Sequence, residues 1–206
     1  MKTRSDNYLI LVRHGSTEWN EFGRLNGVTD VALSDEGFSQ AQRLGRELTA
    51  CKFDSVLASS RLRSQQTAHA ILEASGHSEI AVEVDNRLDE VDFGDLENRP
   101  IHTLERPNLE LCTELLDRVR GTLPRIEDLW ASLRDRKGVT LAVSHGYLIR
   151  AMLCRCVLQS PIERLRRFQL SSCGVAVISW LNEAARLACF NGSGQDVCRI
   201  VARNNP

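Results

Sequence analysis

Two short apolar runs in this chain end in the same dipeptide. Residues 9–12 (LILV) stop at Arg13-His14-Gly15, and residues 139–143 (VTLAV) lead through Ser144 to His145-Gly146. Runs this short and continuous, flanked by polar residues, read as buried parallel strands rather than core helices. In open α/β sheets, ligand sites form outside the carboxyl ends of the strands. The chain therefore delivers two histidines and an arginine to the place where such sheets do chemistry. Arginine supplies a fixed fork of donors that suits a phosphate. Histidine can act as nucleophile or proton carrier near neutral pH, and glycine lets a ligand approach the backbone.

The intervening sequence supports a sheet with helical crossovers. Residues 55–58 (SVLA) and 80–84 (IAVEV) read as further strands. Ser34 is a good N-cap for a helix carrying Phe38, Ala41, Leu44 and Leu48 on one face, and Ser59 or Ser60 caps a second helix that Gly76 ends. Leu115, Val119, Ile126, Trp130 and Leu133 follow a long helical pattern containing Pro124, which must kink or restart it. Residues 147–158 form an apolar helix, Pro161 opens a short one, and 175–180 with 186–190 form a hairpin. The tail from Gly192 carries no clear signal. Alternating strands and helices predict an α/β fold, a three-layer α/β/α sandwich with a mostly parallel central sheet. A length of 206 residues fits one domain.

A formal net charge of -1 argues against a nucleic-acid partner. The polar start and the short run behind it do not make a signal peptide. No segment approaches the ~20 apolar residues of a membrane span. The seven cysteines, odd in number and without a CxxC pair, read as reduced thiols of a cytoplasmic protein rather than a zinc or disulfide framework. No metal site and no cofactor is expected.

Two further residues are candidates for the site. Arg63 lies just inside a helix start that follows a strand, where backbone N–H groups already favour an anion; Arg61 is the alternative on periodicity alone. Glu90, in LDEVDFGDLE, sits beside Phe93 and Gly94 and could serve as the protonatable group that a departing oxygen needs.

Taken in order, these segments resemble the histidine phosphatase superfamily, in its phosphoglycerate-mutase-like branch. RHGSTEWN at 13–20 resembles the family signature, and LNGVTDVALSDEGFSQA at 25–41 is similar to its next conserved segment. SSRLRSQQTA at 59–68 resembles the second arginine motif and selects Arg63 by its distance to Thr67. LDEVDFGDLE selects Glu90, and VSHG at 143–146 resembles the second histidine motif. The resemblance implies that His14 becomes phosphohistidine, that Arg13, Arg63 and His145 hold the phosphate oxygens, and that Glu90 carries the proton. Asn20, Gly27 and Gly146 match substrate-pocket positions. Such an enzyme hydrolyses the phosphomonoester of a small metabolite without a metal, with a homodimer allowed. The mutase members share a lysine after the acid motif; here Ile101 falls at that place, which favours a phosphatase over a cofactor-dependent phosphoglycerate mutase. Residues 92–112 are expected to form a lid, with Arg99 and His102 its first polar candidates for substrate choice.

Overall fold

A computed structural model of the chain describes residues 7–105, 109–181 and 184–202. Six strands form one sheet: β1 (Tyr8–Arg13), β2 (Ser55–Ala58), β3 (Val82–Val84), β4 (Val139–Ser144), β5 (Val175–Leu181) and β6 (Ala184–Gly192). Their order is β3-β2-β4-β1-β5-β6. The first four in that order are parallel, and β5 and β6 add an antiparallel edge. Side chains on a strand alternate between faces, so β1 feeds two cores. Tyr8, Ile10 and Val12 pack with Ala41, Leu44, Ile71 and Leu72, while Leu9 and Leu11 pack with Leu115, Val119, Ile126 and Leu148. The first core lies under α2 (Asp35–Glu47) and α3 (Leu62–Ser75), which follow the four-residue α1 (Glu18–Glu21). The second lies under α5 (Leu109–Gly121), α6 (Leu123–Arg134) and α7 (Gly146–Met152), which follow the short α4 (Ile101–Glu105). Helices on both faces make the expected three layers.

Pro124 restarts the long helical pattern rather than kinking it: α5 ends at Gly121, and the proline sits in the first turn of α6, where its missing N–H costs nothing. The apolar helix after His145 is shorter than its composition suggests. It widens at Leu153–Val157 into a π turn, with the Leu158 N–H reaching the Leu153 carbonyl. Ser34 caps α2 by accepting from the Gly37 N–H. Ser59 and Ser60 do not cap α3. Arg61 occupies the N-cap position without a side-chain bond, because Asp89 takes both serine hydroxyls at 2.7 Å. The tail holds a further helix, α8 (Gly194–Ala202), which buries Val197 and Val201 one turn apart. Among the described residues, no helix is long and apolar enough to cross a membrane.

What positions the site is the pairing of β1 with β4. Arg13 lies opposite Ser144 in register, so His14 and His145 leave the sheet side by side. The His14 N–H still donates to the Ser144 carbonyl at 2.9 Å, carrying the ladder into the site.

Candidate active site

Beyond the ends of β1 and β4 lies a cavity of about 310 Å³, whose walls include Arg13, His14, Asn20, Asn26, Glu90 and Gly146. His14 forms part of its floor and is buried. Nδ1 of His14 lies 2.7 Å from the Gly15 carbonyl oxygen, so this nitrogen carries the hydrogen and donates it. Nε2 keeps its lone pair and accepts from Nε of Arg63 at 3.3 Å. Burial, then the charges of Arg63 and Arg13, push the His14 pKa well below the usual histidine value. A neutral imidazole with one unprotonated nitrogen beside two guanidinium groups is suited to attack on phosphorus. Gly15 is required by packing: a Cβ there would run 2.5 Å from the Gly37 carbonyl oxygen. Its own N–H donates to Thr67 Oγ1, which donates onward to the Arg63 carbonyl.

Arg63 is wholly enclosed. Besides His14, its guanidinium donates to the Thr29 carbonyl at 3.0 Å and the Gly27 carbonyl at 2.6 Å. Burial pulls its pKa down to about 10, with Glu90 the largest opposing influence, so it stays charged at neutral pH. The loop that grips it is itself gripped. Glu97 accepts from the Val28 N–H at 2.6 Å and from the Thr29 N–H and hydroxyl at 3.0 and 2.6 Å. A Cβ at Gly27 would run into the Glu97 carboxylate, so glycine permits this clasp. Gly27 thus stands behind Arg63 as part of its collar and is not among the residues lining the cavity. Arg13 donates to the Leu170 carbonyl at 2.7 Å, and burial, then Arg150, lowers its pKa.

Glu90 faces the cavity at the N-terminal end of α7. Its Oε1 accepts the N–H groups of Val91 and Leu148 at 3.0 and 2.9 Å, and its Oε2 accepts that of Tyr147 at 3.0 Å. The second oxygen keeps acceptor capacity toward the pocket. The amide oxygen of Asn20 is held by the Thr17 hydroxyl and N–H, which turns its NH₂ group outward from the turn.

His145 is wholly buried, its ring edge-on to His14 with centroids 5.1 Å apart. Its Nε2 lies 2.7 Å from Ser59 Oγ, and its Nδ1 has no hydrogen-bond partner among the described residues. Burial, then Arg63, His14, Arg61 and Arg13, lower its pKa well below the usual value. The Arg13 Nε and both polar atoms of the Asn26 amide are likewise buried and unpartnered. Buried polar groups are normally paired, so the unpartnered groups of Arg13 and Asn26 on the pocket wall, with His145 packed against His14, mark it as a place for a polar, anionic ligand.

Sequence reasoning gave no site role to Asn26 or Glu97 and read Ser59 and Ser60 only as helix caps. The signal for Glu97 was the acidic motif itself, in which only one carboxylate was assigned a task. The outer wall carries Arg24, Leu25, Ile101, Tyr147, Arg150 and Gln169. Arg99 and His102 are exposed and do not line the cavity; Ile101 between them does. Residues 106–108 of the expected lid lie outside the described residues. Among the described residues, no group of three or more His, Cys, Asp or Glu side chains could hold a metal ion.

The model of the histidine phosphatase superfamily (branch 1) matches residues 9–192. The "Probable phosphoglycerate mutase GpmB" of Salmonella choleraesuis strain SC-B67 is 30% identical over 190 residues, covering 84% of each chain. The crystal structure of the alpha-ribazole phosphatase from Shigella flexneri superposes with a TM-score of 0.70 at 26% identity, covering 90% of this chain and 96% of that one. The phosphoserine phosphatase of Entamoeba histolytica, solved with 3-phosphoglyceric acid, shares the fold with a TM-score of 0.78 at 23% identity, covering 92% and 99%. Arg13, His14 and Glu90 line one pocket, Arg63 and His145 pack directly against His14 behind it, and the chain, matched along most of its length, belongs to the histidine phosphatase superfamily.

Proposed function

We propose that residues 1–206 form one catalytic domain that hydrolyses a small phosphorylated metabolite in the cytoplasm, without a metal. His14 Nε2 attacks phosphorus, a P–N bond forms, and the ester P–O bond breaks. Glu90 gives its proton to the departing alkoxide, then takes one from the water that attacks the phosphohistidine. Inorganic phosphate leaves and His14 is regenerated. Arg13, Arg63 and His145 neutralise the equatorial oxygens, which is most of what a loose phosphoryl transition state asks of a protein. Asn20 and the Gly146 end of α7 complete the phosphate pocket. The observation that carries this reading is the Nδ1 bond to the Gly15 carbonyl, which leaves Nε2 of His14 unprotonated among cations. Residues 92–112 act as the lid that selects the alcohol.

A second reading, a cofactor-dependent phosphoglycerate mutase, is favoured by the names of the curated relatives. Against it stand Ile101 in the lid and the lack of any lysine between Lys52 and Lys137. The test is a phosphometabolite panel on the purified chain with free phosphate as readout. A parallel arm is a coupled assay for 2-phosphoglycerate from 3-phosphoglycerate, primed with the bisphosphate. Phosphate release that survives a chelator, with a trapped phosphohistidine on His14, supports the hydrolase. Isomerisation outrunning release would establish the mutase instead.

A further inference from the structure

Behind His145 stands a polar chain that the phosphohistidine chemistry does not itself require. Asp89 is buried, and as a carboxylate it only accepts. It takes the Ser59 hydroxyl at 2.7 Å, the Ser60 N–H at 2.8 Å and the Ser60 hydroxyl at 2.7 Å. Arg61 adds an ion pair at 3.2 Å. Ser59 has one hydrogen, and Asp89 has it. The Ser59 oxygen accepts the Arg61 N–H at 3.1 Å, and its remaining lone pair faces His145 Nε2 at 2.7 Å. His145 must therefore carry a hydrogen on Nε2, and Nδ1 is the atom left free. Ser64 Oγ, also near Nε2 at 3.3 Å, is a longer and weaker second partner.

We infer that Asp89, acting through the Ser59 hydroxyl, is a positioning residue for His145: it fixes the Nε2–H tautomer and stabilises the imidazolium whose Nδ1–H then holds a phosphoryl oxygen. This rests on the phosphate-binding part of the function proposed above. The charges that face the ring from its surroundings are Arg63 and Arg61 of the α3 start, and Arg13 and His14 of the β1 end, all of which resist its protonation. The Glu90 carboxylate is bound by the Tyr147 and Leu148 N–H groups at the start of α7. Asp89 is the carboxylate hydrogen-bonded into the chain that ends on the ring. The proton arrives with the phosphate monoanion: its O–H bond breaks, Nδ1–H forms, and the bound ligand becomes the dianion beside imidazolium. The chain is a pairing of a buried anion with a buried base, a serine hydroxyl standing between them.

Binding of inorganic phosphate to the full chain, measured by calorimetry from pH 5.5 to 8, tests the inference alongside nitrogen-15 imidazole spectra of His145. In the wild type, phosphate converts His145 to the doubly protonated ring. Ser59→Ala leaves Asp89 its bonds to Ser60 and Arg61 but cuts the chain. Its affinity at pH 7 falls about tenfold, and its alkaline limb moves down by about one pH unit. Ser59→Thr restores both. Asp89→Asn shows the same displacement, and Ser64→Ala a smaller one. A Ser59→Ala protein whose His145 spectrum and pH limb match the wild type overturns the inference, as does phosphate binding that leaves the wild-type His145 signals unmoved. A chain that hydrolyses no phosphate ester, yet shows the phosphate-linked His145 titration and loses it in Ser59→Ala, refutes the hydrolase reading and upholds the positioning role.

Discussion

The floor and the rim of this pocket are both rich in arginine, but they hold it differently. Arg63, beneath His14 of the floor, has all three guanidinium nitrogens bonded, to His14 and to two backbone carbonyls of a loop that Glu97 clasps. Arg24 on the rim is only half-buried, and one nitrogen reaches the backbone and side chain of Asn98 in the opposite loop. The floor groups stand at strand ends and a helix start, which hold side chains more precisely than loops do. At Arg24 and Asn98 the rim is loop against loop, where binding preferences tolerate change. Under the proposed function, reaction geometry is over-determined, and substrate choice falls to contacts that can vary without disturbing it.

His14→Ala should break the floor outright. Turnover should fall by about 10⁴-fold or more, and labelling by a phosphorylated substrate should vanish. Near-normal activity in that variant would remove His14 from the reaction. Glu90→Gln should cost about 10²–10⁴-fold on alkyl phosphates. The loss should be smaller on nitrophenyl phosphate, whose leaving group is stable as an anion. Equal losses on both would take Glu90 out of the acid role.

Glu97→Ala sharpens the contrast, because Glu97 does not line the cavity. Loosening the collar should displace Arg63 and lower kcat by about tenfold; an unchanged kcat would show that the floor does not depend on its clasp. On the rim, Ile101→Ala should shift KM for a bulky ester by up to about tenfold while leaving kcat on a small aryl phosphate within about twofold. An effect on kcat alone would place Ile101 with the floor.

The smallest effect concerns stability. His14 and His145 have folded-state pKa values below the unfolded value, so the unfolded chain binds more protons as the pH drops. Their contribution is full above about pH 6.5 and declines below it, by at most about 1.4 kcal/mol per pH unit for each ring. Melting temperatures from pH 7.5 to 5.5 should fall in the wild type and fall less in His145→Asn. Parallel curves would mean that the His145 ring is not held neutral.

Much of this arrangement was legible in the residues. The two His-Gly strand ends, the capping Ser34 and the Pro124 restart each depend on local chemistry that a short window displays. Ser59 and Ser60 did not, because their partner Asp89 lies thirty residues on and outcompetes the α3 backbone for their hydroxyls. Glu97 and Asn26 were obscured for the same reason: one is an acid among acids, the other an amide in a loop, and only the fold brings them to Arg63 and the pocket. The α8 helix had its cap in plain sight, with Ser193 and Asp196 exchanging bonds, but its buried stripe is only Val197 and Val201.

The pairing of β1 with β4 has a consequence for how such a site can evolve. Neighbouring strands in any sheet stand about 4.8 Å apart, and the two imidazole centroids are separated by 5.1 Å. The spacing of the histidines is thus the pitch of the sheet, gauged by main-chain hydrogen bonds rather than by the side chains around them. A slip of one residue between the strands would turn one ring to the opposite face, so the ladder admits this spacing or none. Drift in loops and helices cannot stretch it. A lineage can refashion the mouth of this pocket repeatedly and inherit the same calliper each time.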